Sequence, residues 1–262
     1  HAEPQFQTGQ PGGRGYGQGT SWNELIMIGL AKIPTFSGSV LKIIAIVSMV
    51  IDHCAYFLMN DGTLLYDTMR CVGRIAFPVF AFLVVEGFAY THNRKRYFTQ
   101  FLVFAFISEV PWYLLNGADG THNVMFTLAL GVVALTILEK LKENSALCEV
   151  AILSIAYLAT WSGVDYEWRG ILMIVVFNLL RNQNPTQPFP YDRMIQILCT
   201  FPLMIHYGSI GAILACMTIF LYDGTRGFIK GNMAKYGVYV FYPMHLMLIW
   251  WATRYMLSLI HI

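Results

Sequence analysis

Charged residues are scarce in this sequence. Asp, Glu, Lys and Arg make up 12% of its 262 residues, against about 25% in an ordinary soluble domain. A chain so poor in charge cannot clothe itself in a solvated surface, which excludes a water-soluble globular protein. Cysteine is also sparse. Cys54, Cys71, Cys148, Cys199 and Cys216 stand in or beside apolar segments without CxxC or CxxH spacing. Their odd number and scatter argue against a disulfide framework or a zinc site, so no metal is expected. The net charge of +2 carries no long basic block, and no nucleic-acid partner is expected. Inverted repeats and paired broken helices, the marks of many transporters, are not visible either.

What the chain has in abundance is apolar sequence: 56% hydrophobic residues and a mean hydropathy of +0.52. Apolar runs near the length of a bilayer span predict helices at residues 39–59, 74–91, 97–116, 124–141, 147–162, 168–181, 193–206, 209–222 and 236–257. The fold expected is therefore all-α, a polytopic membrane bundle of about nine transmembrane helices, with the lipid bilayer as its solvent. Residues 39–262 read as one membrane domain. Residues 1–38 differ: a Gly-, Gln- and Pro-rich leader without the basic-then-apolar order of a signal peptide, then a capping box (Ser21 with Glu24) and a short interfacial helix, LIMIGLAKI. With the N-terminus in the cytoplasm, thirteen of the seventeen Lys and Arg residues fall on the inner side. Arg70, Arg74, Arg169 and Arg254 fall on the other. The positive-inside rule thus predicts a multi-pass protein of a bacterial inner or plasma membrane, with HNRKRY as its strongest cytoplasmic marker.

Ionisable groups inside such helices are costly and call for a reason. At about 1.5 Å per residue, Lys42 lies about 5 Å into the first helix and His53 about 20 Å. Eleven residues make about three turns, which puts both on one face. Asp52 is turned about 100° from His53 and addresses another neighbour. Glu109 comes to the depth of His53, Glu86 to that of Lys42, Arg74 lies in the outer third, Arg169 enters from the outer side, and His245 sits mid-helix beyond Pro243. A purely structural reading pairs Lys42 with Glu86 and Arg74 with Asp52 or Glu109. A functional reading gathers these groups around a polar cavity. His92, His122, His206 and His261 read as boundary residues.

Several stretches together carry a family likeness. RIAFPVFAFLVVEGFAYTHNRKRYFTQFLVFAFISEVPWYLLNG, then HNVMFTLALG, YDGTRG and KYGVYVFYPMHL closely resemble the TraX family, whose founding activity is N-terminal acetylation of pilin. The first helix is also similar to that of membrane acyltransferases with a basic residue, ten positions and a histidine, here Lys42 and His53. FAFLVVEGFAYT differs from their motif in having Glu86 where serine is common. The resemblance implies an acetyl-CoA-dependent acyltransferase acting on a pilin-like peptide or another small acceptor. It implies a site at His53 lined also by the Tyr242–His245 motif. The residue chemistry makes His53 the general base, because a neutral imidazole titrates in the range such a transfer needs, with Glu109 at matching depth, or Asp52, as the carboxylate to orient it. Lys42, with Arg94 and Arg96, is then expected to meet the phosphates of acetyl-CoA. Arg70 and Arg74 are expected to stabilise the oxyanion or orient the acceptor, and Glu86, Arg169, Tyr242 and His245 to line the acceptor site. Two other classes remain open at this point: a proton-coupled transporter using the same groups as a relay, and a non-catalytic membrane component of a pilus or secretion assembly.

Overall fold

The computed structural model describes residues 35–181, 191–229 and 231–260. Residues 1–34 of the predicted leader, with its short helix at residues 25–33, lie outside them, as does His261. Among the described residues ten helices follow in order: α1 Gly38–Leu58, α2 Leu64–Gly73, α3 Ala76–Tyr90, α4 Arg94–Asn116, α5 Val124–Lys140, α6 Ser145–Trp161, α7 Glu167–Leu179, α8 Tyr191–Ile205, α9 Ser209–Phe220 and α10 Asn232–Ile260. Each predicted apolar segment coincides with one of them, and there is no β-strand among the described residues. The addition is α2, which falls in the gap between the predicted segments 39–59 and 74–91, where charged and polar residues spoil the apolar run. Arg74 and Ile75 keep right-handed helical torsions, so α2 and α3 form one rod, Leu64–Tyr90. That rod, α1 and α4 are long and apolar enough to cross a membrane.

Local chemistry fixes where helices begin. Thr63, Asn93, Asn123 and Asn144 each accept a hydrogen bond at the free N-terminus of the helix that follows them, satisfying donors that have no partner within the helix. Pro78 is tolerated because it falls in the first turn of α3, where no i−4 carbonyl is needed. α3 is apolar on every side, and such a helix belongs in the middle of a bundle. It packs against α1, α5, α7 and α9, burying Phe77, Val79, Phe82, Val85 and Phe88. The outer faces stay apolar: Phe106 and Val110 on α4, Leu153 and Tyr157 on α6, and Leu248 and Trp251 on α10 are all exposed. In water such a belt would aggregate; in lipid it is the expected surface. The chain is an all-α membrane protein.

Two non-helical crossings tie the ends of the bundle. After α9, residues 221–229 are laced onto the start of α1. Phe36 N donates to Leu221 O at 2.7 Å, Gly38 N to Thr225 O at 2.7 Å, and Ser39 Oγ to Arg226 O at 2.9 Å. At the opposite end His122 pairs with the loop before α7, its N–H donating to Gly163 O at 2.9 Å.

Glycine permits the closest helix contact. A Cβ added at Gly73, at the end of α2, would lie 2.2 Å from Oδ1 and 2.4 Å from Cβ of Asp52. Gly73→Ala is therefore expected to push α2 off α1 and cost about 1–3 kcal/mol, the usual range for overpacking. A lower melting temperature in detergent would register it, and an unchanged one would show that the contact yields freely.

Candidate functional site

One face of α1 organises the interior. Gly38, Lys42, Ile46 and Met49 follow one another at helical spacing and line a cavity of about 630 Å³. At its Lys42 end stand Glu86 and Tyr90 of α3, with Tyr222 and Arg226 of the segment after α9; its other end reaches Val124 and Tyr242. Glu86 accepts from Arg181 Nε at 2.7 Å, so its charge is balanced from the end of α7. The Arg226 guanidinium lies over the Tyr90 ring at 4.6 Å. Gly87 leaves room for the buried Tyr97 hydroxyl, which a Cβ there would meet at 2.5 Å. That hydroxyl donates to Val84 O at 3.2 Å. The middle of the cavity, between Ile46, Leu83, Phe101 and Leu128, is apolar.

The next step along the α1 stripe is His53. Its Nδ1 lies 2.7 Å from Nε2 of His245 on α10, and the two ring planes differ by 5°. An in-plane N–H of one ring thus meets an in-plane lone pair of the other. His245 Nδ1 lies 3.1 Å from Phe241 O. Tyr242, which lines the cavity, packs edge-on against both imidazoles, at 6.3 Å from His53 and 5.4 Å from His245. Phe57 and Trp112 complete the aromatic setting of His53. Its Nε2 makes no hydrogen bond among the described residues and is not one of the buried atoms left without a partner.

Beyond the histidines lies a charged layer. Arg70 Nη1 donates to Asp52 Oδ2 at 2.6 Å and stacks over Tyr56 at 4.9 Å. Arg74 reaches Tyr166, with Asp52 and Asp165 near it. Burial, opposed by Arg74, pushes the loop carboxyl of Asp165 up to about 6. Tyr166 holds a left-handed conformation, φ 65°, uncommon for a bulky residue, and its ring stacks on Phe77 at 3.7 Å between centroids.

This geometry corrects several expectations. Neither carboxylate meets His53. Asp52 is taken by Arg70, while Glu109 contacts His122 Nδ1 at 2.5 Å and accepts from Asn123 Nδ2 at 2.6 Å. The partner of His53 is the histidine that sequence had placed among acceptor-lining residues. Glu86 pairs with Arg181 instead of Lys42. His122, read as a boundary residue, is the companion of Glu109. Arg94 is not among the residues lining the cavity: it pairs with Glu139 at 3.0 Å, donates to the carbonyls of Phe88 and Thr91, and so staples the turn between α3 and α4. Arg96 is exposed on that surface, 3.3 Å from the Tyr236 hydroxyl. Arg169 sits with Glu167 at 3.6 Å and over Trp168. Lys42, His53, Tyr242 and His245 do come together along one path, and Asp52, Arg70 and Arg74 form the layer above it. Sequence reasoning passed over Arg226, Asp165 and Tyr166. The YDGTRG motif was the available signal for Arg226.

A helical membrane bundle, with a cationic mouth at one end of its cavity and paired imidazoles at the other, is the class these features define. Comparison with known families is specific: the model of the family described as TraX protein matches residues 37–253, and the chain belongs to that family. It is 30% identical, over 84% of this chain and 97% of the relative, to the probable fimbrial assembly protein FimC, serogroup H1, of Dichelobacter nodosus. It is 26% identical to the protein TraX of Escherichia coli strain K12, over 61% of each chain. An uncharacterized Rickettsia prowazekii protein is 27% identical over 57% of each. No solved structure matches the chain.

Proposed function

We propose that this protein is an integral-membrane acyltransferase that moves an acetyl group from acetyl-CoA to an amine or hydroxyl acceptor, with His53 as general base. The observation that carries the reading is the continuity of one α1 face. Lys42, Ile46 and Met49 line the cavity, and His53 stands one turn further on, beside the Tyr242 that closes it. Eleven residues of helix span about 16 Å, a distance suited to an extended pantetheine arm. Lys42 and Arg226 supply cations at the mouth for phosphate, the apolar middle accepts the arm, and the thioester comes to rest near the imidazole. On this reading the Lys42 end faces the cytoplasm and the protein sits in a bacterial inner membrane. The Asp52, Arg70 and Arg74 layer then faces the side from which the acceptor enters. The name of the Dichelobacter relative, a fimbrial assembly protein, favours a pilin-like peptide N-terminus as acceptor.

The test is acetyl-CoA itself. Purified protein in detergent is expected to be stabilised by it and to release free thiol slowly in the absence of acceptor. Lys42→Ala is expected to raise the acetyl-CoA KM about tenfold with little change in kcat, because phosphate binding is uniform between ground and transition state. Neither stabilisation nor thiol release from the wild-type protein would remove the reading.

A further inference from the structure

We infer that His245 is a positioning residue: it fixes His53 as the tautomer whose Nε2 is unprotonated and able to accept a proton. The inference rests on the acyltransferase reading for its purpose, but its geometry stands apart from it. Phe241 O, a backbone carbonyl, can only accept, so the hydrogen in its 3.1 Å contact with His245 Nδ1 belongs to the ring. A neutral His245 then carries its lone pair at Nε2. The 2.7 Å contact between that nitrogen and His53 Nδ1 requires His53 to donate. Neutral His53 consequently holds its hydrogen at Nδ1 and presents a bare Nε2. A doubly protonated His245 would reverse the sense. It is only 4% exposed, stacks on Phe241, and has no carboxylate paired with it among the described residues, so an added charge there would be uncompensated and costly.

Serine–histidine–aspartate sites use a carboxylate for this orienting task. Here both nearby carboxylates are committed elsewhere, Asp52 to Arg70 and Glu109 to His122 and Asn123, and an imidazole anchored on its own helix takes the place. The substitution suits a membrane interior, since a neutral donor–acceptor chain from His53 through His245 to the α10 backbone orients the base without adding a charge. In the step it serves, the acceptor's lone pair forms a bond to the thioester carbonyl carbon while its proton passes to His53 Nε2. The carbon–sulfur bond breaks, and the departing thiolate takes the proton back from Nε2 and leaves as the thiol. His53 ends neutral and in its starting tautomer.

Solid-state nitrogen NMR of the full-length protein with isotopically labelled histidine, in lipid, reads the tautomer directly, with a His53→Gln sample to assign the signal. Hydrogen at Nδ1 of His53 is expected in the wild type. His245→Leu removes the acceptor and is expected to shift hydrogen to Nε2 and lower kcat about 10- to 100-fold, as loss of an orienting partner commonly does, with the acetyl-CoA KM unchanged. His245→Gln can place an amide oxygen where Nε2 stood, and is expected to restore the Nδ1 hydrogen and most of kcat. Hydrogen at Nε2 in the wild type, or equal kcat and tautomer in the Leu and Gln variants, would overturn the inference. A wild-type protein with the Nδ1 tautomer but no acetyl transfer would count against the acyltransferase reading and leave the orientation standing.

Discussion

Alanine in place of His53 is expected to lower acetyl transfer by about a hundred- to ten-thousand-fold, the range that a positioned general base contributes. Three features isolate the effect to chemistry. His53 is in the interior of α1, where alanine is the most favourable residue for the helix. Its ring is only partly enclosed, between aromatic neighbours at more than 6 Å between centroids, so the vacated space can hold water next to the cavity. The polar group it leaves behind, His245 Nε2, is a single acceptor whose loss of a partner costs about 1–3 kcal/mol, which lowers the melting temperature without abolishing the fold. Acetyl-CoA binding, proposed for the other end of the cavity at Lys42 and Arg226, should be unaffected. The decisive comparison is therefore kcat against thermal shift by acetyl-CoA in the same preparation. Full turnover in His53→Ala would show that no proton passes through this ring.

Arg181→Leu is expected to destabilise the protein by about 2–3 kcal/mol. Glu86 and Arg181 are 13% and 22% exposed and their atoms approach to 2.7 Å. Breaking one member of a fully buried pair costs about 3–5 kcal/mol, because the other charge is stranded; the residual exposure of this pair moderates the figure. The charge left without its partner would be Glu86, on a largely buried helix, at the cavity mouth. The double variant Glu86→Leu with Arg181→Leu removes both charges and is expected to recover most of the loss, since a well-packed apolar pair is often equivalent. Recovery stays a few tenths of a kcal/mol short, because Arg181 also sits beyond the C-terminus of α7, where a cation is favoured by the helix dipole. Melting temperatures of the three variants in one detergent decide the matter. A double variant as unstable as the single would mean that the arginine stem, and not its charge, supports α7.

How far the sequence alone reaches can be judged element by element. The helices were legible because each is a continuous apolar run, and a backbone in lipid must satisfy its own hydrogen bonds, which leaves few alternatives. α2 was not, since its amphipathic ten residues look like a polar loop until Arg74 and Ile75 are seen to continue into α3. The Lys42–His53 stripe was legible because helical period is a property of a single segment. The pairings were not. Depth along the bundle suggested one level for Glu109 and His53, but depth says nothing of direction around the bundle axis, and Glu109 turns to the loop at His122 while α10 brings His245 to His53. Arg94 and Arg226 illustrate the same limit. Both are cations near the same membrane face, and only the chain crossing at residues 221–229 shows which of them reaches the cavity.

That crossing bears on how the protein is made. Among the described helices, α1 with Lys42 and His53 is synthesised well before the segment that hems its start and before the helix that supplies the second imidazole. Until α10 is in place, His53 lacks the nitrogen that accepts its hydrogen, so the paired imidazoles form only once α10 has joined α1.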